Sequence, residues 1–200
     1  MPAWVEWAYA ITGAISVYLS TRQNIWSWPT AIVNVSLGAF VFFKSGLYSD
    51  MGLQVVYLTL SIYGWYQWLH GGANRMPLRV SRAGGRVWFL CALAAALFWS
   101  ALAAYTAGLP GVSLPFLDSG LTTVSLVAQW MMTRKILENW VLWILADIAY
   151  VPMYIYKELY VTAGLYTVFL VLAVMGFVQW RRSHLADRTA VEPHPGPVPV

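Results

Sequence analysis

The chain is poor in charge and has almost no cysteine. Only 10% of its 200 residues are charged and 60% are hydrophobic, against roughly 25% and 45–50% in an ordinary soluble domain. That balance excludes a soluble globular enzyme. A single cysteine, Cys91, leaves no internal disulfide and no cysteine metal site. The three histidines, His70, His184 and His194, fall in polar connections or the tail, so no helix presents a pair of imidazoles to a metal. There is no glycine-rich phosphate loop with a following lysine, no Ser-His-Asp order within the apolar runs, and no H-E-x-x-H. ATP hydrolysis and intramembrane proteolysis by those routes are not expected, nor is any catalytic residue, metal or cofactor. The net charge of +4 sits in loops beside apolar runs, where it reports membrane orientation rather than nucleic-acid binding.

What is present is a series of apolar runs punctuated by charge. A hydrocarbon core ~30 Å thick needs about 20 apolar residues per helical crossing. The charge-free intervals predict seven membrane helices, at 4–21, 28–43, 50–69, 87–107, 116–133, 139–156 and 160–180. Residues 1–182 thus read as one all-α integral membrane domain. The first helix lacks the basic start and small-residue cleavage site of a signal peptide and is expected to stay. Ten of the 12 Lys and Arg residues fall on one side of this topology, leaving Lys44 and Lys157 on the other. The positive-inside rule then puts the N-terminus outside and the C-terminus in the cytoplasm. The basic 70–86 connection reads as a topology anchor, with a patch for anionic lipid or a soluble partner as the alternative. Residues 183–200, which end in Glu192-Pro-His-Pro-Gly-Pro-Val-Pro-Val200, read as a disordered cytoplasmic tail.

A shift of 112 residues lays the third helix on the seventh. Ten of the 22 positions 47–68 are identical, among them Leu47-Tyr48 on Leu159-Tyr160, Gly52 on Gly164, Gly64 on Gly176 and Gln67-Trp68 on Gln179-Trp180. The same shift sets Thr21-Arg22 on Thr133-Arg134. The second helix is expected to meet the sixth after a local slip, Asn24-x-x-x-Trp28 falling on Asn139-x-x-x-Trp143 and Lys44 on Lys157. Helices 1–3 and 5–7 read as two repeats, with helix 4 as the linker that lets them point the same way. Parallel repeats of this kind are a transporter design with the solute site between them.

An ionised group within a span is costly and faces a cavity or a partner. Asp147 lies midway along the sixth helix, with Trp140, Trp143, Tyr150 and Tyr154 on the same helical face. A carboxylate within an aromatic groove suits a flat cation; pairing with Lys157 or a tyrosine hydroxyl is the structural alternative. In the third helix Gln54, Tyr57, Ser61, Gly64 and Trp68 keep the same rhythm, matched by Tyr166, Phe169, Ala173, Gly176 and Trp180 in the seventh. Asn34 and Gln129 are polar enough to line a path or to bridge helices. Pro29 and Pro152 are positions where the second and sixth helices could bend.

Asn24-Ile-Trp-Ser-Trp-Pro29, Phe42-Phe-Lys-Ser-Gly-Leu-Tyr-Ser-Asp-Met-Gly-Leu-Gln54, Ile62-Tyr-Gly-Trp-Tyr-Gln-Trp68, Thr133-Arg-Lys, Glu138-Asn-Trp-Val-Leu-Trp143 and Gly164-Leu-Tyr166 together resemble the PnuC family of vitamin transporters. The resemblance covers about residues 5–182. It implies seven helices in two parallel three-helix bundles, an architecture similar to the SWEET transporters, in a bacterial inner membrane. It also implies uptake of nicotinamide riboside without direct energy coupling, a cytoplasmic kinase trapping the solute by phosphorylation. Asn139, Trp140 and Trp143 resemble the family motif at the substrate site, where nicotinamide riboside members can carry asparagine four positions later. Here that position is Asp147.

The expected site therefore comprises Asn139, Trp140, Trp143, Asp147 and Tyr150, with Gln54, Tyr57, Trp65, Gln67 and Trp68 from the third helix and Asn34 from the second. Thiamine is the alternative solute, on a scaffold that riboflavin members share. A proton-coupled carrier centred on Asp147 and a non-transporting scaffold for a kinase are the rivals. Homo-oligomerisation is left open.

Overall fold

The computed structural model describes residues 3–44, 48–108 and 115–191. It consists of seven α-helices: α1 Ala3–Thr21, α2 Ser27–Lys44, α3 Tyr48–His70, α4 Gly85–Ala107, α5 Pro115–Thr133, α6 Asn139–Tyr156 and α7 Tyr160–Val191. The expected spans are met to within one or two residues except at the end of α7. That helix continues through Arg181, His184 and Asp187 to Val191, which corrects the expectation of an unstructured tail over 183–191. Residues 192–200 lie outside the described residues, as does Leu47 of the expected Leu47–Leu159 match. Pro29 does not break α2, because it falls in the first turn where no helical N–H is needed. Pro152 sits inside α6, which nevertheless runs on to Tyr156.

Burial is the reverse of a water-soluble bundle. Ile11, Val33, Ile62, Leu97, Leu145 and Val171 are exposed on the outside while Ser16, Ser61, Ser125, Gln54 and Asp147 are buried inside. Hydrocarbon solvates the former, and the interior must satisfy the latter. Ser61 and Ser125 do so within their own helices, Ser61 Oγ donating to Tyr57 O at 2.8 Å and Ser125 Oγ to Leu121 O at 2.9 Å, whereas Ser16 Oγ donates across to Ser27 O of α2 at 2.9 Å. Among the described residues, helices α4 and α7 are the two whose length and mean hydropathy, 2.1 and 2.2, suffice for a crossing by that measure alone. The remaining helices dilute their hydropathy with the polar residues they turn inward.

Helix α2 packs on α1 and α3, α6 packs on α5 and α7, and α1–α7 and α3–α5 contacts join the halves, while α4 packs on α5. Adding 112 to the bounds of α1 and α2 gives those of α5 and α6, and adding it to the start of α3 gives that of α7. Contacts follow the same rule. Trp28 meets Trp68 edge-on at 5.3 Å, and Trp140 meets Trp180 edge-on at 5.5 Å. Trp68 Nε1 donates to Met132 O and Trp180 Nε1 to Ser20 O, both at 3.0 Å. Gln23 and Lys135 both turn the chain with a left-handed backbone, φ 54° and 48°.

The expected slip between α2 and α6 is therefore corrected. Trp28 corresponds to Trp140 rather than Trp143, and Ser27 rather than Asn24 corresponds to Asn139. The two asparagines look alike in sequence but do different work. Asn24 Oδ1 accepts from Trp26 N at 3.0 Å, whereas Asn139 Nδ2 donates to Ile136 O.

The core is thickest at the end that carries the arginine-rich connections, the basic end. Trp28, Trp68, Val80, Met132, Leu137, Trp140, Ala173 and Trp180 form one buried cluster there. Glycine is required beneath two of these rings. A Cβ on Gly64 would enter the Trp28 indole, and one on Gly176 would lie 2.5 Å from Trp140 Cε2.

Candidate functional site

Between the halves lies a cavity of about 370 Å³, at the lower end of the roughly 300–1,000 Å³ of small-molecule sites. Every described helix except α4 contributes to its wall. Asp50 and Asp118, near the starts of α3 and α5, mark the end remote from the basic connections; Trp28, Trp140, Met132 and Ala173 form the floor towards the basic end.

Helix α6 supplies one side. Trp140, Trp143, Asp147, Tyr150 and Tyr154 recur at three- and four-residue spacing and all line the cavity. Tyr150 stacks on Tyr154 at 5.7 Å, and both rings touch Tyr166 of α7, at 4.9 and 4.8 Å. Asp147 is 2% exposed and has no side-chain hydrogen bond or ion pair among the described residues, so the Lys157 pairing is not made. A buried carboxylate without a partner is costly, and here it borders an open space. The lining holds three carboxylates, Asp50, Asp118 and Asp147, and among the described residues no Lys, Arg or His. In a chain of net charge +4, the described lining is thus acidic.

Opposite, α3 presents Gln54, Tyr57 and Ser61 to the same space. Gln54 Nε2 reaches Tyr9 Oη at 3.5 Å. Asn34 also borders the cavity, but its Nδ2 is engaged by Tyr9 O at 2.6 Å and Thr12 Oγ1 at 3.1 Å, which ties α2 to α1. The indole N–H groups of Trp28 and Trp140 are buried and unpaired, leaving two donors at the floor.

Four of the expected site residues do not line the cavity. Trp65 is 39% exposed on the outer face of α3. Gln67 lies at the basic end of that helix, where its carbonyl accepts from Gly71 N at 2.7 Å. Trp68 lies behind the floor, packed on Trp28 and Trp180. Asn139 is fully buried at the start of α6. The physical reasons are rotation and depth: Trp65 and Gln67 lie off the face of α3 through Gln54, Tyr57 and Ser61, Trp68 lies on that face but beyond the floor, and Asn139 sits at the basic end of α6. The remaining seven, Asn34, Gln54, Tyr57, Trp140, Trp143, Asp147 and Tyr150, are brought together. Trp28, Tyr9, Asp50 and Asp118 were missed. An unslipped shift of 112 would have found Trp28 as the counterpart of Trp140.

Comparison with known proteins decides the family. The family model described as "Nicotinamide mononucleotide transporter" matches residues 3–182. The chain belongs to the nicotinamide mononucleotide transporter family. Within this transporter family it is 26% identical to the nicotinamide riboside transporter PnuC of Escherichia coli (strain K12), over 90% of this chain and 86% of that protein. It is 27% identical to the riboflavin/roseoflavin transporter RibM of Streptomyces davaonensis, over 96% of this chain and 92% of that one. A crystal structure of the vitamin B3 transporter PnuC superposes with a TM-score of 0.71 at 26% identity, covering 94% of this chain and 83% of that one. The chain is therefore a multi-pass membrane protein of a transporter family, with the seven-helix fold of PnuC.

Proposed function

We propose that the protein carries nicotinamide riboside into the cell. The observation that carries this reading is Asp147, buried and flanked by Trp140, Trp143 and Tyr150, with no partner and no Lys, Arg or His in the cavity wall among the described residues. The nicotinamide ring of that solute is a flat pyridinium cation, suited to aromatic faces and a carboxylate. Its ribose hydroxyls suit the amide of Gln54 and the hydroxyls of Tyr57 and Ser61. The PnuC relatives, named for nicotinamide riboside, support the same solute. The neutral, tricyclic flavin carried by the RibM relative would leave Asp147 without a counter-charge.

In this reading the basic end faces the cytoplasm, and the cavity is open towards the outside and closed beneath Trp28 and Trp140. The halves α1–α3 and α5–α7 are parallel repeats that rock about the cavity to expose it to either side in turn. Movement is downhill, and phosphorylation by a cytoplasmic kinase keeps the solute inside. The test is equilibrium titration of the purified protein with nicotinamide riboside, thiamine and riboflavin, read by tryptophan fluorescence. Preferential binding of nicotinamide riboside is expected. Tighter binding of riboflavin would overturn the assignment, and tighter binding of thiamine would keep the cation site and change the vitamin.

A further inference from the structure

The residues that close the basic end of the cavity come from two sources. Trp28, Trp140, Met132 and Ala173 belong both to the cavity floor and to the buried cluster, whereas Trp68, Trp180, Leu137 and Val80 belong to the cluster alone and lie behind the floor. Of this second layer, Leu137 belongs to the turn between α5 and α6, and Val80 likewise comes from no helix. It belongs to the connection between α3 and α4 and is only 5% exposed.

We infer that residues 76–83 form a strap across the exit of the cavity, with Val80 as its plug, and that the strap must lift before solute can leave towards the basic end. This rests on the transport reading above. The strap is pinned along its length. Leu78 N donates to Trp68 O at 3.1 Å; Ser81 N donates to Lys135 O at 3.0 Å and Ser81 O accepts from Leu137 N at 2.8 Å. The carboxylate of Glu138 receives Arg82 Nε and Ala83 N, each at 2.9 Å. Its side chain is 10% exposed, so it has little water to turn to if the strap departs. The extension of α7 holds the other side, with His184 Nδ1 3.0 Å from Val80 O and Asp187 Oδ1 3.9 Å from Arg79. A bound strap thus gives the unexpected helical turns after Arg182 a purpose.

The strap breaks the likeness of the halves. Lys135 and Leu137, which form its backbone pairing, correspond to Gln23 and Ile25 at the shift of 112. Among the described residues no comparable backbone pair is made at Gln23 O and Ile25 N. The Trp68 and Trp180 indole bonds close the exit from both halves equally. The strap adds a lock that is tied to the first half only through Leu78 and to the second half by its remaining bonds, so opening must either carry the strap with the 134–138 turn or peel it from that turn. Peeling is the consistent choice, since Leu78 stays tied to Trp68 of the first half.

Ser81 and Ile136 are paired as neighbours in a parallel bridge, a spacing of about 4.8 Å that a disulfide can span. The test is the S81C/I136C variant in a Cys91→Ala background, reconstituted in vesicles with labelled nicotinamide riboside. Oxidation should cut uptake at least tenfold and reduction should restore it, while binding read by tryptophan fluorescence moves less than twofold. Uptake by the oxidised protein at the reduced rate would overturn the proposal. Should the cysteine pair fail to fold, Arg82→Gln loosens the strap from its exposed side. Amide hydrogen exchange at Ser81 and Leu137 should then rise at least tenfold, and unchanged exchange would overturn the pinning. Failure of the wild type to import nicotinamide riboside, thiamine or riboflavin would count against the transport reading, whereas the exchange arm decides the strap independently.

Discussion

Two glycines in matching helices offer a test of how tightly the floor is packed. Gly176→Ala would set a methyl 2.5 Å from Trp140 Cε2, and Gly64→Ala would drive one into the Trp28 ring. Carbon atoms rest about 3.5–4.0 Å apart, so each indole must retreat by about 1 Å. Neither can do so freely, being 1% and 2% exposed. Overpacking of this kind costs roughly 1–3 kcal/mol, offset by the roughly 0.5–1 kcal/mol that alanine contributes in a helix. A net loss of about 1–2 kcal/mol follows, and at about 2–4 °C per kcal/mol for a chain of this size both variants should melt several degrees early in detergent. Their affinity for nicotinamide riboside should fall as well, because both rings line the cavity. Gly52→Ala and Gly164→Ala are the controls, since nothing lies within 4 Å of either added Cβ; both should melt at or slightly above the wild-type temperature. Wild-type melting and wild-type affinity in Gly64→Ala and Gly176→Ala together would refute the packing argument.

Two further outcomes can be measured on the same preparation. Asp147→Asn keeps the shape of the side chain and removes its charge, so titration should show at least about tenfold weaker binding of nicotinamide riboside, about 1.4 kcal/mol, with riboflavin affected less; equal losses for both would remove the counter-charge role. Burial pushes the Lys135 ammonium down to about 8, against a smaller upward pull from Asp187. The unfolded chain then holds more protons than the native one between about pH 8 and the ordinary lysine value, so this group's contribution to stability rises with pH across that window, and its burial penalty is fully present below it. The melting temperature of the wild type relative to Lys135→Met should therefore climb from about pH 8 to about pH 10, and a flat difference would contradict the burial of the ammonium.

The helices were legible because membrane spans are written in the spacing of charges, and their bounds were read almost residue by residue. The end of α7 was not, because its last turns are polar and amphipathic by partnership: His184 and Asp187 earn their place only against the strap. The inward face of α6 was legible from a single carboxylate with aromatic neighbours at helical spacing. On α3 the aromatic content misled. Trp65 and Trp68 are as aromatic as Tyr57, but one faces outward and the other backs the floor, a difference set by rotation and depth rather than by residue type. The pairing of α2 with α6 failed for a similar reason, since Asn24 and Asn139 invited an alignment that the equal left-handed turns at Gln23 and Lys135 do not permit.

Those two turns face one another: Lys135 Nζ lies 3.4 Å from Gln23 Oε1 and 4.5 Å over the Trp68 ring. Residues that meet their own counterparts across an axis of symmetry are the ones an assembly of identical units cannot vary independently. Two separate copies of one three-helix unit would have to set lysine against lysine or glutamine against glutamine at this contact. Joined through α4, the halves can place a donor on one side and an acceptor on the other, so a single covalent chain frees the centre of the bundle from the demand of self-complementarity.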